Sequence, residues 1–118
     1  MNQTQLQERT FEFSLRIINL VKALPSGAGM RRLGDQIFGS GTSVGANYRA
    51  ALRGKSKKDF ANKIATVVEE ADETCYWLDL IIAGKILPAE KVTPLREEAN
   101  ELTAIFAASL KTARQSLD

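Results

Sequence analysis

Side chains able to do chemistry are few in this chain, and they are unevenly placed. None of its 118 residues is histidine, which removes the commonest general base and metal ligand. The acids Glu69, Glu70, Asp72 and Glu73 crowd into one short segment. Carboxylate bundles that hold paired metal ions use Glu-x-x-His motifs on two helices, and here the acids share one segment without a histidine, so no metal is expected. Cys75 stands in an apolar stripe, where a buried, inert thiol is the expectation rather than a nucleophile. Tyr48 and Ser43 have no partnering base. No catalytic residue or cofactor is assigned, and the chain reads as a protein that is not an enzyme.

One stretch invites a phosphate. Residues 38–51 read FGSGTSVGANYRAA, with Gly39, Gly41 and Gly45 among serines and a threonine. A P-loop needs Gly, four residues, then Gly-Lys-Ser/Thr; here only three residues separate Gly41 from Gly45, and Ala46 follows. The dinucleotide fingerprint needs Gly-x-Gly-x-x-Gly after a strand, whereas Gly39 and Gly41 are followed by three residues before Gly45, after a helical "LGDQI". Both nucleotide motifs fail in spacing and context. A helix explains more. Gly41 and Gly45 then lie on one line beside a face that carries Ser40, Ser43, Val44, Asn47 and Ala51. Each mid-helix glycine costs roughly 1 kcal/mol against alanine, a cost retained where a neighbour must come close. Trp77, Tyr76 and Phe106 are the candidates to fill that hollow. Asn47, polar in mid-helix, needs partners if buried, and Glu70 and Glu73 are placed to supply them. The expectation is a small-residue seam with a polar latch of Ser43, Asn47, Glu70 and Glu73.

Charge is more telling in its distribution than in its sum. The formal charge is only +2, yet Arg49, Arg53, Lys55, Lys57, Lys58 and Lys63 cluster against Asp59 alone, and five acids with no base follow between Glu69 and Asp79. Six cations around one turn are candidates for phosphate contacts, individually weak and salt-sensitive. The alternative is a solvated face of mixed charge.

Four amphipathic segments must position these groups. Leu6, Thr10, Phe13, Ile17, Leu20 and Leu24 recur at helical steps until Pro25–Gly29 breaks the pattern. Leu33, Ile37, Val44, Tyr48 and Ala51 mark a second helix stopping at Gly54. Ser56 caps a third, with Asp59 reaching back in a capping-box variant. That helix carries Phe60, Ile64, Val67, Ala71, Leu78 and Ile82 and ends at Gly84. A fourth, opened by Pro88 or by Thr93 with Pro94, bears Leu95, Ala99, Leu102, Phe106, Ser109 and Ala113. Short connections between four helices predict one all-α domain over residues 1–118, an antiparallel up-down-up-down four-helix bundle. Phe11, Leu15, Ile18 and Val21 add apolar surface outside the first stripe, and Thr74–Gly84 is apolar nearly all round. A partner subunit would cover such second faces, unless a thick single-chain core does.

No run is long and apolar enough to span a bilayer, and the N-terminus shows neither a basic nor an apolar leader region. With a single cysteine, no internal disulfide is possible, and the expected location is the cytoplasm.

The order of these features resembles a known family over nearly the whole chain. Its marks are Ser40, Ser43 and Asn47 in a serine, serine, asparagine run, a basic Gly54-Lys55-Ser56 turn, and the Glu-Ala-x-Glu-Thr-x-x-Trp-Leu segment from Glu70 to Leu78. These resemble the bacterial four-helix-bundle proteins called 23S rRNA-intervening-sequence proteins, some encoded within insertions in that rRNA gene. Where many relatives have Asn-Ile-Ala-Glu-Gly, this chain has Asn47-Tyr48-Arg49-Ala50-Ala51, so any role of that glutamate is absent. The resemblance implies an up-down bundle assembling as a homopentamer. It also implies kinship with the accessory protein of diversity-generating retroelements, a basic pentamer that binds nucleic acid and a partner reverse transcriptase.

Two functions follow as expectations. One is a nucleic-acid-associated assembly, binding RNA or DNA through the basic turn between helices two and three. Its specificity would come from RNA shape or a bound enzyme, since few aromatics are placed for stacking. The other is a protein-interaction scaffold whose basic turn is merely solvated.

Overall fold

Asn2 opens the first helix by a reciprocal cap: its side chain accepts from Gln5 N at 2.8 Å, while Gln5 Oε1 accepts from Asn2 N at 3.0 Å. The computed structural model describes residues 1–117, so the final position of the expected domain, Asp118, lies outside the described residues. Its helices are α1 (Gln3–Lys22), α2 (Ala28–Leu52), α3 (Lys57–Ala83) and α4 (Ala89–Gln115). Each packs on its chain neighbour across a short connection, giving the all-α antiparallel four-helix bundle, 48 × 23 × 22 Å. None of these helices is long and apolar enough to cross a membrane.

The start of α3 follows the sequence in kind and departs from it in detail. Ser56 Oγ accepts from Asp59 N at 3.0 Å. Asp59 does reach back, but to the backbone N–H of Lys55, at 3.2 Å, one residue beyond the cap. Gly54 makes room for that carboxylate, since a Cβ there would stand 2.7 Å from Asp59 Oδ2. The fourth helix begins after Pro88 and runs through Pro94, whose missing N–H deprives the Glu90 carbonyl of its usual helical donor.

One continuous core fills the bundle: Phe13 and Ile17 from α1, Ile37 and Val44 from α2, Ile64, Val67, Leu78 and Ile81 from α3, and Val92, Leu102 and Phe106 from α4. Tyr48 meets Phe106 edge to face, ring centroids 5.0 Å apart. Leu33, Phe60, Ile82 and Ser109, expected on the inner stripes, are only half-buried, and Gly34, Ala61, Ile81 and Leu110 take inner positions.

The glycine run is helical throughout, but its hollow is filled from a different side than expected. A Cβ at Gly41 would lie 2.6 Å from Ile17 Cγ1, and one at Gly45 would lie 3.2 Å from the carbonyl oxygen of Thr10. It is therefore α1 that nests on the small residues of α2. Trp77, Tyr76 and Phe106 do not: Tyr76 is 57% exposed, Trp77 donates its indole N–H to Glu73, and Phe106 packs on Tyr48. The physical reason is register. Gly41 and Gly45 are one turn apart on the α1 side of α2, whereas Ser40 turns toward α3.

Contact between α1 and α4 is much the thinnest in the bundle. An ionic clasp bridges it: Arg9 donates from Nε to Glu98 Oε2 at 2.7 Å and from Nη2 to Glu98 Oε1 at 2.6 Å, with Glu101 at 3.2 Å.

Candidate nucleic-acid interface

Arg49 and Arg53 lie one turn apart at the end of α2, where cations also meet the negative end of the helix dipole. With Lys55 from the connection and Lys63 from α3, they line a cleft of about 520 Å³ whose lining also includes Ala46 and Ala50. Asp59 is the acid in its lining. It accepts from Lys63 Nζ at 2.6 Å, and chiefly that hydrogen bond holds its carboxyl below the ordinary value. Of the six cations singled out in the sequence, Lys63 is the one in a salt bridge among the described residues. Arg49, Arg53 and Lys55 thus line the cleft without a salt bridge among the described residues, although the charge of Lys55 also acts on Asp59.

The six do not form one patch. Lys57 joins Lys55 on the rim of a separate groove, about 750 Å³, at the end of the bundle beside Phe60, Ala108 and Thr112. Lys58 is exposed and lines neither hollow. The turn that looks like a single basic run in sequence has two sides because α3 starts inside it and rotates successive residues by about 100°.

A further groove, about 880 Å³, runs between α1 and α2 beside the seam, with Thr42, Gly45 and Ala46 on its α2 wall and Phe11 and Ile18 on its α1 wall. Glu8 and Glu12 line its α1 side, Arg49 and Arg53 its far end. Phe11, Leu15, Phe38, Tyr76 and Leu80 are exposed.

The polar latch takes a different form from the one expected. Asn47 Nδ2 donates to the Ser43 carbonyl at 2.8 Å, and the Ser43 hydroxyl donates to the Gly39 carbonyl, so both bonds stay inside α2. Glu73 accepts from Trp77 on its own helix, and no hydrogen bond among the described residues joins Ser43 or Asn47 to Glu70 or Glu73. The bond that crosses from α2 to α3 is instead Ser40–Thr74, 2.9 Å between hydroxyl oxygens, with Thr74 also 2.8 Å from the Glu70 carbonyl. Both residues are buried. A signal existed: Ser40 precedes Val44 by four positions, on its inward line, and Thr74 sits between core Ala71 and Leu78. Half-burial pushes the Glu70 carboxyl up, with the neighbouring charges of Glu73 and Glu69 adding to it.

Chemistry of the nucleophilic kind finds no footing at Cys75. It is buried beside Thr103, and burial pushes its thiol up, away from the reactive thiolate.

Comparison with known proteins agrees with this architecture. The model of the family 23S rRNA-intervening sequence protein matches residues 2–117. No curated protein matches the chain. Among solved structures, a protein of unknown function from the S23 ribosomal protein family of Bacteroides thetaiotaomicron VPI-5482 is 32% identical, with a TM-score of 0.82 over 94% of this chain and 99% of that one. Matched from its second residue to its second last, and folded as four packed helices, the chain belongs to the 23S rRNA-intervening sequence protein family.

Proposed function

We propose that this protein is a non-enzymatic, oligomeric, nucleic-acid-associated bundle that grips RNA phosphates through Arg49, Arg53 and Lys55. The observation that carries this reading is the cleft at the α2–α3 turn, where these three cations converge without paired acids. Lys63 lines the same cleft but is paired with Asp59, while Lys57 and Lys58 add to the field around it. Several copies in one assembly would multiply a weak patch through avidity. The exposed Phe38, Tyr76 and Leu80 on α2 and α3 support self-association, for which the family resemblance suggests a homopentamer. Kinship with the retroelement accessory protein, and with it a reverse transcriptase as partner, belongs to the same reading, as does a cytoplasmic location.

The test is binding of labelled RNA over a salt series. Affinity is expected to fall linearly on a log–log plot, with a slope of about −0.7 to −0.9 per phosphate neutralised. Arg49→Glu/Arg53→Glu should abolish binding while leaving the assembly intact.

The same exposed apolar side chains also favour a second reading, a scaffold that docks another protein and leaves the basic cleft solvated. A protein partner that is retained after nuclease treatment, together with no salt-dependent RNA binding, would select it.

A further inference from the structure

The groove between α1 and α2 joins an exposed aromatic ring to the cations of the proposed site. Phe11 is 67% exposed, the most exposed aromatic among the described residues. It shares its groove with Ala46, Arg49 and Arg53, and those three also line the basic cleft. Ring and arginines therefore belong to one continuous surface. Phe11 is one of the apolar side chains that the sequence places outside the inner stripe of α1; the fold leaves it exposed, in the groove that Arg49 and Arg53 also line.

We infer that this groove takes an unpaired nucleic-acid strand, with Phe11 stacked on a base while Arg49 and Arg53 hold the adjoining phosphates. The inference rests on the nucleic-acid reading above and adds the class of strand. A duplex offers phosphates to arginines as readily as a single strand does, but its bases are stacked on one another and their faces are closed. Only an unpaired base has a face free for Phe11.

The charges in the groove set the orientation. Glu8 and Glu12 line the α1 side and the arginines lie on α2, so the sugar-phosphate backbone is driven to the α2 wall and the bases turn toward α1. There the two carboxylates can accept hydrogen bonds from exocyclic amino groups, as acidic side chains do from cytosine N4. Three of the hydroxyls in the groove are already committed within their helices: Thr10 donates to the Gln7 carbonyl, Ser14 to the Thr10 carbonyl and Thr42 to the Phe38 carbonyl. The Phe11 ring and the two carboxylates, with the Thr4 hydroxyl and the Gln7 amide of the same lining, are left to meet the base.

The experiment compares a fluorescein-labelled strand of about 12 nucleotides, near the span of one single-strand binding module, with the same strand annealed to its complement. Anisotropy is read over a salt series. The wild-type protein should bind the single strand more tightly. Phe11→Ala should weaken that binding about tenfold, as expected for a lost stacking ring, with duplex binding and salt slope unchanged, and Phe11→Trp should restore it. Because Phe11 is largely outside the core, the variant should melt as wild type does. If Phe11→Ala binds the single strand like wild type while Arg49→Glu/Arg53→Glu loses both forms, the inference fails and the proposed function stands. If Phe11→Ala lowers the assembly mass by light scattering, the groove holds a second copy of the chain, and the inference fails. If wild type binds neither form, the proposed function itself fails and takes the inference with it.

Discussion

Gly41 lies against Ile17 so closely that a methyl group on it would stand 2.6 Å from Ile17 Cγ1 and 2.8 Å from two further carbons of that side chain. Ile17 is fully buried and has nowhere to go. Gly41→Ala should therefore lower stability, because overpacking costs roughly 1–3 kcal/mol and the gain in helix propensity returns only about 1 of it. Gly39 is the internal control: open space surrounds its Cβ position, so Gly39→Ala should raise stability by up to about 1 kcal/mol. Urea denaturation of both variants gives the comparison, and equal shifts would mean that the seam is not tight.

Thr74 makes the cross-helix bond that was expected of Asn47. Thr74→Val should cost about 1 kcal/mol, since it leaves the buried Ser40 hydroxyl without its partner. Asn47→Ala, whose amide bonds only its own helix, should cost less than that. Thermal melts of the two variants rank them, and the reverse order would restore the asparagine to the latch.

How much could be read beforehand divides along physical lines. The four helices were legible because Leu6, Thr10, Phe13, Ile17 and Leu20, and their counterparts in α2, α3 and α4, repeat at the helical period, and because Ser56 and Gly84 punctuate the chain. What occupies the space beside Gly41 was not legible. Periodicity says which residues share a face, but not which neighbouring helix that face meets or at what register. The same gap separates the expected latch from the Ser40–Thr74 bond. The basic turn was visible as composition; its division into a cleft with Arg49 and Arg53 and an outer side with Lys57 depends on where α3 begins to turn.

The clasp between α1 and α4 gives stability a definite dependence on pH. The hydrogen bond from Arg9 is the main cause that holds the Glu98 carboxyl below its ordinary value of 4.5, against the effect of burial. Arg16 also favours its charged form, and Glu101 shares Arg9. A carboxyl lowered on folding stabilises the fold fully above that ordinary value and loses the contribution as pH falls through the lower folded value. Asp59, lowered chiefly by Lys63, acts in the same direction. Glu98→Gln should thus lose about 1–2 kcal/mol near neutrality, between the values of exposed and buried pairs. The gap from wild type should narrow as melts are taken toward about pH 3, below the ordinary range of carboxylates. A gap that stays constant would assign the loss to packing rather than charge.

The proposed self-association rests on the apolar side chains of Phe38, Tyr76 and Leu80 left in water. Light scattering at micromolar concentration should give a mass near five times the 13.0 kDa chain. Tyr76→Glu/Leu80→Glu should reduce it without unfolding the helices, since both side chains are exposed. A wild-type mass near that of one chain would remove the oligomer from the account.

The basic cleft is the centre of the functional reading, and paired charge reversals test it most directly. RNA binding should be measured by mobility shift over a salt series for wild type, Arg49→Glu/Arg53→Glu and Lys57→Glu/Lys58→Glu, at matched assembly mass. The account predicts salt-dependent binding that the arginine pair abolishes and that the lysine pair, outside the cleft, weakens only in part. Binding that is absent at low ionic strength, or that survives loss of both arginines, would contradict it.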